Sequence, residues 1–100
     1  MREARYRARY TPEAASRIRK LHPQIKKVIR EGIRTLLQTP IAGHPLHFEL
    51  AGYRSYRIRT HRVTYTVNDD EATLEVVFVA RRRTVYEELR ELLLERNRRG

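Results

Sequence analysis

The first residues alternate strictly between polar and apolar. Ala4, Tyr6, Ala8 and Tyr10 fall on one face and Arg5, Arg7 and Arg9 on the other, which predicts a strand over residues 4–10. Thr11-Pro12-Glu13 then reads as a helix start. It has a capping hydroxyl, a proline whose fixed φ suits the first turn, and an acid at the positive end of the helix. Ala14, Ile18 and Leu21 share the inner face of this helix, and Pro23 ends it and begins a second. In the second helix Ile25, Val28, Ile29, Ile33, Leu36 and Leu37 recur at helical spacing, the strongest amphipathic pattern in the chain. Thr39-Pro40 stops it, so the two helices form a hairpin.

The period returns to two in the second half. Residues 53–60 set Tyr56 and Ile58 against Arg57 and Arg59, and residues 62–68 set Val63, Tyr65 and Val67 against Arg62, Thr64 and Thr66. Residues 73–80 gather Leu74, Val76, Phe78 and Ala80 on one face, with Asn68-Asp69-Asp70 as the tight turn before them. A short strand over 46–50 is also expected. Thr84-Val85-Tyr86-Glu87 has the form of a capping box, opening a helix that buries Val85, Leu89, Leu92 and Leu93. The order is strand, helical hairpin, three or four strands, helix. It predicts a single α+β domain over residues 1–100, an antiparallel sheet with helices on its one apolar face.

A chain of 100 residues with 40% hydrophobic residues has enough apolar side chains for one modest core, although 34% are charged. It has no cysteine, which excludes a disulfide scaffold, a thiol nucleophile and a thiolate zinc site. The longest apolar run, Val76 to Ala80, is too short to span a bilayer. No leader pattern follows Met1, so the expected compartment is the cytoplasm.

Charge adds the first positive clue. Lys and Arg number 22 against 12 Asp and Glu, a net charge of +10, and 19 of the 22 cations are arginine. Such a domain expects a polyanionic partner, and arginine grips phosphate with two parallel hydrogen bonds. A GC-rich genome raises the arginine count by itself, so position has to decide. With Thr60-His61 as a two-residue loop, Arg59 comes opposite Arg62, Arg57 opposite Thr64, Tyr56 opposite Tyr65 and Ile58 opposite Val63. Like charges across a ladder are unfavourable, so stability does not ask for this arrangement, whereas a bound phosphate would. With Asp70-Glu71 as the next turn, Ala80 comes opposite His61, and Arg81, Arg82 and Arg83 emerge beside it, followed by Tyr86. The bland alternative is a solvated basic surface. Of His22, His44, His47 and His61 none has metal-ligand spacing, and no metal site is expected. His61, at the turn beside the arginines, is a candidate acid or base. No glycine-rich phosphate loop, Ser-His-Asp pattern or pair of inward carboxylates is present, and Asp69-Asp70-Glu71 reads as a turn.

Two stretches are similar to a known family. The runs Tyr56-Arg57-Ile58-Arg59 and His61-Arg62-Val63-Thr64-Tyr65-Thr66-Val67, with Val77-Phe78-Val79-Ala80-Arg81-Arg82-Arg83-Thr84-Val85-Tyr86, resemble the RelE/ParE toxins of bacterial type II toxin–antitoxin systems. The opening Tyr10-Thr11-Pro12-Glu13-Ala14-Ala15 and the hairpin ending at Pro40 fit as well, so the resemblance covers residues 4–90. It implies the RelE-like microbial ribonuclease fold. RelE-like members cut messenger RNA in the ribosomal decoding site; ParE-like members poison DNA gyrase and typically lack the basic catalytic set. Here Arg57 and Arg59 match the two basic strand residues, Arg62 the strand arginine and Tyr86 the C-terminal tyrosine. Arg82 best matches the arginine before the last helix, with Arg81 and Arg83 as alternatives, because the spacing to Tyr86 is shorter than in the best-known members.

The resemblance therefore implies a metal-independent, cofactor-free endoribonuclease. Tyr86 would be the base, Arg82 the acid or oxyanion partner and Arg62 the holder of the scissile phosphate. Arg57, Arg59, Arg81 and Arg83 would bind the RNA backbone, with His61 as an alternative acid or base. Packed cations favour the anionic form of a nearby phenol. The implied partners are the ribosome with its messenger RNA and an acidic antitoxin, with operator DNA reached only through the antitoxin complex and no membrane. The alternatives are a gyrase inhibitor, a non-catalytic nucleic-acid-binding module, and a decayed toxin that only binds its antitoxin.

Overall fold

The computed structural model describes residues 5–99, so the Ala4 end of the expected first strand lies outside the described residues. β1 (Arg7–Tyr10) runs into Thr11, whose hydroxyl accepts from the Ala14 amide at 3.2 Å and donates to the Val77 carbonyl at 2.9 Å. One side chain thus caps α1 (Pro12–Arg19) and ties it to the sheet. α2 (Pro23–Gln38) begins with a cap the sequence did not advertise: His22 Nδ1 accepts from the Gln24 amide. It ends before Thr39-Pro40 as expected, burying Ile29, Ile33 and Leu36.

Beyond α2 the chain makes a tight turn over Pro40–Ala42 and a two-residue strand, β2 (His44–Pro45). The strand expected over 46–50 is not there. Phe48 has φ 58, which no strand residue adopts, and Phe48–Leu50 forms a 3₁₀ turn. The edge strand forms earlier because residues 40–43 are pinned. Tyr65 OH donates to the Pro40 carbonyl at 2.6 Å and accepts from the Gly43 amide at 3.1 Å, while Arg54 Nη2 donates to the Gly43 carbonyl at 2.6 Å. Gly43 has to be glycine here, since a Cβ would fall 2.5 Å from Tyr65 OH and 2.7 Å from the Ser55 carbonyl.

β3 (Arg54–Ile58), β4 (His61–Asn68) and β5 (Thr73–Arg81) follow, and α3 (Val85–Arg99) closes the chain. The sheet order is β1-β5-β4-β3-β2, with β1 parallel to β5 and the other pairs antiparallel. Strands β2–β5 form the expected four-stranded antiparallel sheet, and the N-terminal strand extends it to a five-stranded mixed one. The difference is β1: Arg7 N bonds to Ala72 O and Thr11 N to Val76 O, so the first strand adds itself to the free edge of β5. Thr84 precedes α3, but its hydroxyl bonds to Glu88 at 3.0 Å rather than pairing with Glu87.

The expectation of a single apolar face is also corrected. Val67↔Leu74 and Tyr65↔Val76 keep one register, but Thr64 pairs with Phe78 and Val63 with Val79, leaving Val77 as an extra residue. This β-bulge reverses the alternation. Leu74, Val76 and Val79 face α1 and α2 with Ile58, Val63 and Tyr65, whereas Val77, Phe78 and Ala80 face the opposite side with Leu50, Val85 and Leu89. Helices cover both faces, and the second face carries the arginines.

Candidate active site

The β3–β4 hairpin turns at Arg59-Thr60, one residue earlier than predicted. Ile58 pairs with His61, Arg57 with Arg62, Tyr56 with Val63, Ser55 with Thr64 and Arg54 with Tyr65. This register differs from the predicted one by two, which leaves every side chain on its expected face. Hydrophobic matching therefore cannot choose between them, and the turn does. Arg59 takes φ 56 at the first loop position. Its carbonyl accepts from Arg57 Nε at 3.1 Å, and the Thr60 carbonyl accepts from the Arg82 amide at 2.9 Å. Arg59 therefore sits in the turn rather than opposite Arg62, and Arg57 takes the place beside Arg62.

The second face is built around Ser55, fully buried. Arg62 Nη1 and Tyr86 OH both donate to Ser55 Oγ, each at 3.2 Å. α3 makes this possible: Val85 and Leu89 sink into the sheet face against Phe78 and Ala80, which lays Tyr86 of the first turn over β3. Thr64, beside Ser55 on the same face, is fully buried with its hydroxyl unpartnered, so the cluster has a polar floor. Arg62 and Tyr86 are half-buried, while Arg57, Arg59, Arg81, Arg82 and Arg83 are exposed.

Among the described residues the ion pairs fall on Arg17, Arg90 and Arg96. None involves Arg57, Arg59, Arg62, Arg81, Arg82 or Arg83. Six guanidinium groups near one hairpin end thus keep their donors free of carboxylate, which suits a phosphate-bearing ligand.

The structure separates two of the expected members from this face. His61 points with Val63 towards the α2 side, 7% exposed, its Nδ1 3.0 Å from the Thr60 hydroxyl. Burial, and then the Arg81 charge, hold its pKa below the ordinary histidine value. Arg81 closes the ladder opposite His61, on that same side. The bulge is the cause, since it shifts the predicted Ala80–His61 pairing by one and puts Ala80 opposite Arg62. Arg82 and Arg83 follow in the turn that leads into α3.

Two residues escaped the sequence reading. Ser55 shares its face with Arg57 by simple alternation, a signal that was available. His44 stands opposite Ser55 across the β2–β3 ladder, a placement that depends on the unforeseen edge strand.

Comparison with known proteins places this geometry in context. A family model for the ParE toxin of type II toxin-antitoxin system, parDE, matches residues 8–86. Toxin RelG of Mycobacterium tuberculosis is 34% identical over 83 residues, covering 81% of this chain and 95% of that protein. The toxin–antitoxin complex RelBE2 of the same organism contains a chain of similar fold, with TM-score 0.73 and 34% identity over 77% of this chain and 98% of that one. A free mutant of Escherichia coli toxin RelE aligns with TM-score 0.72 over 91% of this chain and 96% of its own. At 17% identity it supports the fold alone.

Proposed function

The chain belongs to the RelE/ParE superfamily of type II toxin–antitoxin toxins, and from that premise we propose that it is an endoribonuclease that cuts messenger RNA on the ribosome. The observation that carries this reading is the cluster itself: Tyr86 and Arg62 on one serine oxygen, beside arginines free of carboxylates.

RNA is cleaved when a ribose 2′-hydroxyl attacks the adjacent phosphorus. The 2′-oxygen forms a bond to phosphorus, the bond to the 5′-oxygen breaks, and the products carry a 2′,3′-cyclic phosphate and a 5′-hydroxyl. Tyr86 acts as base in its phenolate form, its own proton having passed to solvent and the Ser55 hydroxyl having turned to donate to it, and on taking the 2′-proton it becomes the phenol again. Arg62, anchored by one nitrogen, directs its remaining donors to the phosphorane oxygens, where charge develops. Arg82 supplies charge or a proton to the leaving 5′-oxygen. Arg57, Arg59 and Arg83 hold the flanking backbone. Such weak acids and bases depend on orientation, which suits a substrate presented by a decoding site. The setting is the cytoplasm, and the partner is an acidic antitoxin that folds on binding.

The family match to a ParE toxin favours gyrase inhibition as the second reading. The purified chain should be run in parallel in a translating extract and a gyrase supercoiling assay. Cleavage of ribosome-bound messenger RNA with gyrase unaffected supports the nuclease. Stalled gyrase–DNA complexes with intact messenger RNA reject it.

A further inference from the structure

Next to the arginine cluster the surface turns apolar. The segment after β2 and the first turns of α3 enclose a groove of about 500 Å³, lined by His44, Leu46, His47, Phe48, Tyr86 and Arg90 among others. Tyr86 is common to both places: it lines the groove, and its hydroxyl rests on Ser55 beside Arg62. His44, on Ser55's face of the sheet, stands at the boundary. Phe48 lies at the groove with 91% of its surface exposed and φ 58. A bulky residue in the left-handed region is uncommon, and one held there in water adds nothing to the core. The turn that carries it is closed by the Ala51 amide on the Phe48 carbonyl at 3.0 Å and braced against α3 by the Glu49–Arg90 ion pair at 2.9 Å.

We propose that this groove is a nucleobase subsite, taking the base of the nucleotide next to the phosphate held by Arg57 and Arg62, with Phe48 as its stacking platform. The proposal rests on RNA being the ligand of the arginine cluster. The occupant must be flat and apolar on its faces to suit Phe48 and Tyr86. It must offer polar edges to His44 and His47, and be tethered to an anion one step away where the arginines stand. A nucleotide has all three properties, and an apolar peptide lacks the last. Stacking of this kind accepts any base, so Phe48 adds affinity and fixes the strand, and the histidines at the edge bias which base is preferred.

The test uses a short RNA carrying 2-aminopurine at successive positions, a base whose fluorescence falls when it stacks. Phe48→Asn suits left-handed backbone and removes the ring, Phe48→Gly does the same without strain, and Phe48→Trp keeps a ring. The expected result is quenching at one position with the wild-type chain and Phe48→Trp. In Phe48→Asn and Phe48→Gly the quenching is lost and binding is roughly tenfold weaker. The salt dependence stays unchanged, since the phosphate contacts remain. Equal quenching and affinity in all four proteins overturn the subsite. So does intact RNA binding combined with a weakened toxin–antitoxin complex, which would make the groove a protein docking surface. Binding is read apart from cleavage. Phe48-dependent stacking by a chain that cuts nothing keeps the subsite and removes the nuclease. Ribosomal cleavage by a chain in which Phe48 affects neither stacking nor affinity does the reverse.

Discussion

Arg62 Nη1 and Tyr86 OH each lie 3.2 Å from the same atom, Ser55 Oγ. A strand cation and a helix phenol are thereby held together by a buried hydroxyl belonging to neither element. Ser55→Ala removes that anchor. It should lower cleavage about tenfold or more and destabilise the chain by roughly 1–3 kcal/mol, because the half-buried Arg62 and Tyr86 lose a fully buried acceptor. Arg62→Ala should cost orders of magnitude in activity with the fold intact. Cleavage rates on translating ribosomes beside urea denaturation separate the two effects, and full activity in both variants would show that the site is misplaced.

Arg57 and Arg62 are direct partners across the β3–β4 ladder. Arg57→Gln should therefore raise stability by roughly 0.2–1 kcal/mol while weakening RNA binding. The stability gain should shrink at high salt, where the repulsion is screened. Thermal melts at low and high salt measure it; a loss of stability at low salt would mean that Arg57 is held by something other than a ligand.

His61 gives the chain a pH dependence of definite sign. Burial first, and the Arg81 charge second, lower its pKa in the folded state, so the unfolded chain takes up a proton near pH 6.5 that the folded chain resists. The stability this provides is complete above that pH and is lost as pH falls through the folded value. Urea midpoints should drop between pH 7.5 and 5.5, and His61→Gln should flatten the slope over that range. An unchanged slope would contradict the assignment.

These features were not equally legible in the sequence. The helices, the strands of the second half and the two-sided distribution of arginines follow from periodicity, since amphipathic spacing reports which side of an element meets the core. Arg59 was misplaced because a register shift of two preserves every face, and only the backbone of the turn distinguishes the alternatives. The bulge at Val77 interrupts an alternation that periodicity alone extends unbroken through β5. The unbroken run Val76-Val77-Phe78-Val79-Ala80 was the available signal, since a strand apolar on both faces expects cover on both. β1 joins the sheet in parallel through Thr11 and Val77, a contact between distant residues that no local pattern encodes.

The last helix should be the loosest. Among the described residues of α3, Val85 and Leu89 alone are fully buried; Tyr86, Leu92 and Leu93 pack half-buried against the same cluster, Leu94 is exposed, and the ion pairs Arg17–Glu88, Arg90–Glu49 and Arg96–Glu13 add the remaining fastening. Hydrogen exchange should find residues 84–98 the least protected helix in the free chain, and the one that changes most when antitoxin binds. An antitoxin that displaces α3 would carry Tyr86 away from Ser55 and silence the site without covering the arginines. Equal, high protection in both states would leave direct occlusion of the arginines as the means of inhibition.

The central claim is that Tyr86 removes a proton from RNA held on the ribosome. It is tested most directly by inducing the wild-type chain and Tyr86→Phe in growing cells and mapping messenger RNA ends. New ends with 5′-hydroxyl groups, confined to translated regions, are expected in the wild type. Their loss by orders of magnitude is expected in Tyr86→Phe, with both proteins folded and equally abundant. The same ends at the same frequency in both strains, or none in either, would contradict the claim.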